Sequence, residues 1–393
     1  MMQNFEFVLP TRIRFGAGIS KEIAAEIHAM GKKRPFIITD EGIVRAGLAD
    51  RVAKALKDGG FTDYFVFDET EPNPRDTTVQ HACEKAKEWG ADVLVALGGG
   101  SSMDTAKGAA VLLSHGGSIH DYEGLGKVTK PVTDLIAIPT TVGTGSEVTF
   151  WAVITDTKRH FKMSVGSPLI APKLALVDPD LVQSLPPTIV ASTGMDALTH
   201  AIEGYTCALA EPITDACGLY AIRMISENLR DAVYGGPAVA VEARANMLLG
   251  SLIAGICFGN SDIAGVHCMA EALGGLYDTP HGIANAILLP HVMKYNFVSD
   301  LDKFAEVAKA LGERGETLSM RDLAYASVTA VLKLNADLNI PSLFDVGANV
   351  EDLPELAKRA SVNVSVGSNP RRAGEAEFLT IFQSAFLDEE HAQ

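Results

Sequence analysis

The chain has 393 residues, 47% of them hydrophobic and 21% charged, with a formal net charge of −16. That length is more than one hydrophobic core organises, so two domains are expected, and the ordinary globular balance excludes a disordered chain. The acidity excludes a binder of phosphate backbones, so no nucleic-acid partner is expected.

Apolar stretches of membrane-spanning length, about 18 residues, are not evident, so no membrane partner is expected. The N-terminal MMQNFEFVLP lacks both the basic start and the apolar core of a signal peptide. Five cysteines without a CxxC pair suit reduced thiols, and a cytoplasmic location is expected.

The first half alternates short apolar runs with helical patterns. PFIITD (35–40), YFVFD (64–68), DVLVALGGG (92–100), DLIAIPTT (134–141) and LALVD (174–178) are predicted as buried strands. LADRVAKALKDGG and TVQHACEKAKEWG between them repeat apolar residues at helical spacing and end on glycine. Strand–helix–strand repetition predicts a parallel sheet covered on both faces, a doubly wound nucleotide-binding fold with its ligand at the C-terminal strand ends. After Ser184-Leu185-Pro186-Pro187 the strand-like runs stop. ITDACGLYAIRMISENLRDAV, VEARANMLLGSLIAGICFG, RDLAYASVTAVLKLNADL and EAEFLTIFQSAFL predict a mostly helical second domain. The boundaries are therefore set at 1–183 for an α/β domain and 184–393 for an all-α domain.

Three motifs carry chemistry. GGGSSMDTAK (98–107) follows a strand and opens a helix, where glycines and free N–H groups can cradle phosphate oxygens; a tight strand-to-helix turn is the plainer reading. PTTVGTGSEVT (139–149) is a second polar loop after the next strand, and the two together could enclose a dinucleotide. Asp40 ends the first strong strand. It can accept the two ribose hydroxyls of an adenosine, or it can cap the helix that follows.

The third motif is a set of possible metal ligands. Asp196 and His200 lie at i and i+4 on one helical face. His267 and His281 are fourteen residues apart; in one unbroken helix about 21 Å would separate them, so a shared ion requires the chain to turn back. Gly274-Gly275 and Pro280 are predicted to supply that turn. One carboxylate and three imidazoles form a plausible site for a divalent ion, Fe2+ or alternatively Zn2+.

With these motifs, and SNPR (368–371) and NAILLPHVMKYN (285–296), the chain resembles the iron-containing (group III) alcohol dehydrogenase family nearly end to end. The resemblance implies a Rossmann-like dinucleotide-binding domain followed by an all-α domain, a dehydroquinate synthase-like architecture, with a metal in the cleft between them. It implies Asp196, His200, His267 and His281 as metal ligands. It implies Asp40, Asn73, Gly99, Gly100, Ser101, Thr140, Thr141, Thr149 and Lys162 as contacts for NAD, with Asp40 favouring NAD over NADP. Glu271, Lys162 and Asp104 are the candidate catalytic residues, and Phe150, Trp151 and Phe258 the candidate pocket residues.

The activity implied is metal-assisted hydride transfer between NAD(H) and a short alcohol or diol and its aldehyde, in a homo-oligomer of two or more subunits. A glycerol dehydrogenase- or maleylacetate reductase-like enzyme and a non-catalytic homologue are the alternatives. Two departures stand out. Where the family usually has a second histidine, giving HxxxH, this chain has Glu271, a candidate proton relay or substrate contact. Trp151 replaces a smaller or polar residue and is expected to narrow the pocket with Phe258.

Overall fold

A computed structural model describes residues 4–315 and 317–390. The chain divides into two compact units. An α/β unit comprises Val8–Thr141 and Gly145–Leu185; a helical unit comprises Pro186 onward, Val142–Thr144 and the N-terminal residues up to Phe7.

In the α/β unit the strands are β1 (Arg12–Phe15), β2 (Pro35–Ile38), β3 (Phe65–Phe67), β4 (Val93–Gly98), β5 (Gly124–Leu125), β6 (Asp134–Pro139), β7 (Trp151–Asp156), β8 (Phe161–Gly166) and β9 (Leu174–Val177). Its helices are α1 (Ile23–Ala29), α2 (Glu41–Arg45), α3 (Leu48–Asp58), α4 (Asp76–Trp89) and α5 (Gly100–His115). Six strands form one sheet in the order β1-β9-β6-β4-β2-β3, every pair parallel. The pleat sends alternate residues to opposite faces. Phe36, Ile38, Leu94 and Ala96 pack with Val79 of α4 and Met103 and Ala106 of α5. Ile37, Val93, Val95 and Ile136 pack on the other side with Ile23, Ile27, Val52 and Leu56. Both faces are therefore apolar, which is why these strands read as unbroken hydrophobic runs.

β2 has β3 on one side and β4 on the other, so the winding reverses between β2 and β4. In open α/β sheets this reversal is where loops part to admit a ligand. Asp40 follows β2 and the triple glycine ends β4, so the topology puts both at that point.

The sequence reading missed β1, which adds an edge beside β9, and the small sheet β5-β8-β7. β7 and β8 form an antiparallel hairpin in which β7 alternates buried with half-buried residues. Ala152, Ile154, Met163 and Val165 of that hairpin join the α4–α5 core. The charged turn Lys158-Arg159-His160 and the half-polar alternation hide these strands from a search for continuous apolar runs.

The helical unit contains α6 (Pro187–Thr206), α7 (Pro212–Tyr234), α8 (Pro237–Asn260), α9 (Gly265–Tyr277), α10 (His281–Asn296), α11 (Leu301–Ala310), α12 (Met320–Asp337), α13 (Leu353–Ser361) and α14 (Glu375–Glu390). Among the described residues no strand follows β9. α6 is the central element, buried from Met195 to Thr206 and packed by α7, α8 and α10. α8 corrects one sequence expectation: by length and composition it is apolar enough to cross a membrane. Half of its apolar window is buried inside the protein, against α6 and α7, as a core helix.

Candidate metal centre and dinucleotide site

Three helices of the helical unit bring four candidate ligands together, one carboxylate and three imidazoles. Asp196 and His200 lie one turn apart on α6, His267 is the third residue of α9, and His281 is the first residue of α10. Their ligand atoms all lie within 4.8 Å of one another. The rings of His200 and His267 stack at 4.6 Å, and those of His267 and His281 tilt at 5.2 Å.

The turn that achieves this differs from the one expected. Gly274 and Gly275 lie inside α9, and the break comes later, at Asp278, whose φ of 54° is left-handed. The Asp278 N–H bonds back to the Gly274 carbonyl, a helix-terminating contact that a short polar residue tolerates. Pro280 then sets the entry to α10. Gly282, next to His281, does carry the close approach: a Cβ there would lie 2.4 Å from the Ser192 carbonyl oxygen and 3.4 Å from the Asp196 Cβ. Only glycine lets the start of α10 touch α6 and bring His281 beside Asp196.

The hydrogen bonds define which imidazole nitrogens are free to coordinate. His200 Nδ1 donates to the Gly143 carbonyl at 3.3 Å, and His267 Nδ1 donates to Glu203 at 2.6 Å. The Asn285 amide nitrogen donates to Asp196 Oδ1 at 2.7 Å and lies 3.1 Å from His267 Nε2 and 3.2 Å from His281 Nε2. A carboxylate can only accept, so the amide must turn its hydrogens, its positive end, toward these lone pairs. Its own Oδ1 is left buried with no hydrogen-bond partner. The donor set thus converges on a point that attracts positive charge, which fits a divalent ion with N and O preferences. Burial pushes the His200 imidazole down to about 4, against the pull of Asp196, so its lone pair is available at neutral pH. Burial works against charge on His267 too, but the hydrogen bond and charge of Glu203 outweigh it and its pKa is raised.

Two residues here were missed from sequence, Glu203 and Asn285. Each sits at helical spacing from a named ligand, Glu203 three after His200 and Asn285 four after His281, and that spacing is the signal that could have found them. SNPR acts at one remove: Asn369 accepts from the Gly265 N–H at 3.1 Å and exchanges hydrogen bonds with Asn296, tying the start of α9 to the end of α10. Glu271 is buried one turn beyond His267, and its Oε2 accepts from the Asn363 amide at 2.6 Å. Phe258 stacks on His200 at 4.2 Å.

In the α/β unit, Asp40, the glycine turn, Thr140 and Thr141 lie together at the sheet's switch point. Gly98 has φ 154°, and a Cβ on it would lie 2.4 Å from the Ser102 Oγ. Gly99 precedes α5 as its cap, and a Cβ on it would lie 3.0 Å from Thr141 Cγ2, a tight contact. Gly100, Ser101 and Ser102 form the first turn of α5, whose N–H groups suit an anion. Thr140 is fully buried with an unpartnered hydroxyl, and its N–H bonds the Gly98 carbonyl at 3.0 Å. Asn73, left-handed at φ 54°, accepts from Lys162 Nζ at 2.8 Å, so these two candidates meet.

Asp40 caps α2, its Oδ1 accepting from the Ile43 N–H at 3.0 Å, while Oδ2 faces Gly98 across the switch point. Both readings of this residue are therefore compatible. Asp40→Ser keeps a capping oxygen but removes the charge that repels a 2′-phosphate. The expected result is an NADP-to-NAD ratio of kcat/KM that rises at least ~10-fold, about 1.4 kcal/mol, with an unchanged melting temperature. An unchanged ratio would exclude the ribose role.

Asp104 and Thr149 meet at a buried lysine. Lys107 Nζ donates to Ser146 Oγ at 2.6 Å, Thr149 Oγ1 at 3.1 Å and the Trp151 carbonyl at 2.7 Å. Asp104 accepts from Ser146 Oγ at 2.8 Å and the Val153 N–H at 3.0 Å, and lies 3.6 Å from Lys107 Nζ. Each Asp104 oxygen thus holds a fixed protein donor, and the geometry places the residue beside Lys107 as its counter-ion. Trp151 is likewise occupied: it pairs with Gly166 across the hairpin and its ring lies where a Gly166 Cβ would be, with Phe150 stacked at 6.0 Å.

Glu147, beside this network, is buried with its Oε1 unpartnered, and burial raises its pKa to about 7 although Lys107 pulls it down. A carboxyl raised in the folded state is protonated there while the unfolded chain ionises, so stability falls as pH rises from about 4.5 to about 7, by about 3 kcal/mol. Glu147→Gln should flatten that part of the curve in thermal melts between pH 5 and pH 8. A variant with the wild-type slope would show that another group is responsible.

The comparisons with known proteins agree with this geometry. Residues 10–179 match the family described as "Iron-containing alcohol dehydrogenase", and residues 190–386 match "Fe-containing alcohol dehydrogenase family, C-terminal". The chain belongs to the iron-containing alcohol dehydrogenase family. It is 40% identical to the 1,3-propanediol dehydrogenase of Citrobacter freundii over 385 residues, 97% of this chain and 99% of the relative. It is 39% identical to the NAD-dependent methanol dehydrogenase of Bacillus methanolicus, covering 98% of this chain and all of that one. The crystal structure of a 1,3-propanediol oxidoreductase superposes with a TM-score of 0.94 at 38% identity, covering 98% of this chain and 100% of that one. A family member of this kind is an oxidoreductase acting on small alcohols or aldehydes. The expected α/β sheet followed by helices is the architecture these relatives share.

Proposed function

We propose that this protein interconverts short primary alcohols or diols and their aldehydes by hydride transfer to and from NAD(H), with Fe2+, or alternatively Zn2+, held by Asp196, His200, His267 and His281. The convergence of those four ligand atoms within 4.8 Å carries the reading. A bound divalent ion supplies Lewis acidity at the substrate oxygen. The chain's own contributions are the following. His267 keeps Nδ1–H engaged with Glu203 and turns Nε2 toward the Asn285 amide at the ligand point, His200 holds its Nδ1–H on the Gly143 carbonyl, and Asp196 provides the single anionic ligand. The Gly98–Gly100 turn and the first turn of α5 receive the pyrophosphate, Asp40 the ribose, and Asn73 with Lys162 a further edge of the nucleotide. Phe258 covers one face of His200 and excludes water from it.

Relatives of nearly equal identity are named for 1,3-propanediol and for methanol, so identity leaves the substrate to the site itself. Glu271, held by Asn363, is the proposed polar contact or proton relay. Glu271→His should shift the pH dependence of kcat/KM; superimposable profiles would remove that role. A homo-oligomeric cytoplasmic protein is proposed on the exposed edge strand β1, with Phe15 41% exposed, and on five free cysteines; light scattering reads the oligomer directly.

The test is metal analysis together with NADH oxidation by a panel of short aldehydes and hydroxyaldehydes, using Fe- and Zn-loaded protein. Turnover that depends on metal supports the proposal. Absence of both metal binding and turnover overturns it.

A further inference from the structure

The Glu203 carboxylate is 3% exposed and makes four contacts with the start of α9. Oε1 accepts from the Val266 N–H at 2.6 Å. Oε2 accepts from the Ala264 N–H at 3.0 Å, the His267 N–H at 3.4 Å and the His267 ring Nδ1–H at 2.6 Å. The residue preceding α9 is alanine, which has no side chain to cap it, so a carboxylate from α6 does that work across the helix interface. The same carboxylate fixes the imidazole. In the neutral ring, Nδ1–H held at 2.6 Å leaves Nε2 without a proton, and Nε2 points to the place where Asp196, His281 and the Asn285 amide meet. His200, by contrast, has only a backbone carbonyl on Nδ1, at 3.3 Å.

We infer that Glu203 is the positioning residue of the metal centre: it locks His267 in the Nδ1–H tautomer and orientation that present Nε2 to the ion, and it couples α6 to α9 so that His200 and His267 stay in register. This rests on the proposed metal reading. Glu203 acts through His267. A carboxylate behind a metal-bound imidazole makes the ring a stronger donor, and a partner of this kind is worth 10–100-fold in affinity. The capping contacts give a second reason for its place. Were capping its whole role, one N–H-facing oxygen would suffice and the ring contact would be incidental.

Two measurements test the inference, and one needs no variant. In metal-free wild-type protein labelled with 15N-histidine, long-range 1H–15N correlation, at a pH high enough for the ring to be neutral, reads the tautomer of His267, assigned by comparison with His267→Gln. Nδ1–H is the expected result, and Nε2–H overturns the inference. The second compares Co2+ binding by wild type and Glu203→Gln, through the visible spectrum and a competition titration. The variant is expected to bind Co2+ ~10–100-fold more weakly with an altered ligand-field spectrum, while its NADH affinity matches wild type and shows that the α/β unit is intact. An unchanged Co2+ affinity and spectrum would reduce Glu203 to a helix cap. If Glu203→Gln fails to fold, the tautomer measurement still decides. Wild-type protein that binds no Co2+ and turns over no aldehyde fails at the earlier reading instead, so the two failures are separable.

Discussion

Asp196→Ala is expected to leave a protein that folds, binds NADH and retains almost no metal. Asp196 is the single anion among the four ligands, and without it three neutral imidazoles must hold a divalent charge alone. The Asn285 amide also loses its strongest acceptor, at 2.7 Å, and is left facing only imidazole lone pairs. The loss of turnover should exceed the ~100-fold that removal of an outer partner of a ligand costs. Metal content by mass spectrometry and aldehyde reduction should fall together, while NADH fluorescence stays as in wild type. Full activity with a wild-type metal content would show that the ion, if present, is held elsewhere. Asp196→Asn is the finer control: it keeps the shape and removes the charge, and should fall between wild type and alanine in metal affinity.

The second large effect lies in the α/β unit. Lys107 is wholly buried, with burial lowering its pKa against the opposing charges of Asp104 and Glu147. Burial in turn raises the pKa of Asp104, against the pull of Lys107. Lys107→Met fills similar space but strands the Asp104 carboxylate, and breaking a buried pair from one side costs ~3–5 kcal/mol. Lys107→Met/Asp104→Asn removes both charges and should recover most of that loss. Denaturant unfolding of wild type, both single variants and the double variant gives the coupling energy. Additive losses would mean that the lysine is held by Ser146, Thr149 and the Trp151 carbonyl alone. The functional consequence is that this network anchors α5 and the Ser146–Thr149 loop to β7, and so holds the helix whose first turn is the proposed pyrophosphate site.

Much of this was legible in the residue order. Five strands of the main sheet and the helical second half follow from apolar runs of strand length and helical spacing, and the Asp196–His200 pair from i and i+4 spacing, while the full candidate ligand set came from the family resemblance. What the pattern misplaced shows its limit. Gly274-Gly275 looks like a break, yet both residues are helical and Asp278 makes the turn, because helix packing overrides the weak preference of glycine. β7 and β8 are half-polar, and only their docking on the α4–α5 layer makes them strands. Asp104 sits in a motif that suggests catalysis, but its partners come from Ser146 and Val153, some forty and fifty residues on.

By itself, then, the sequence determined which residue types are available and which neighbours along one helix share a face. It named Asp196 with His200, and it placed the glycines that let backbone approach a ligand. The tertiary structure alone decided the partners that close the site: Glu203 behind His267, Asn285 among the ligand atoms, Gly282 against Ser192 and Asn363 against Glu271. The physical reason is common to all four. Each contact joins residues that packing, not local periodicity, brings together: a buried carboxylate or amide takes whichever donor or acceptor that packing delivers, and Gly282 leaves the room that the approach of α10 to α6 requires.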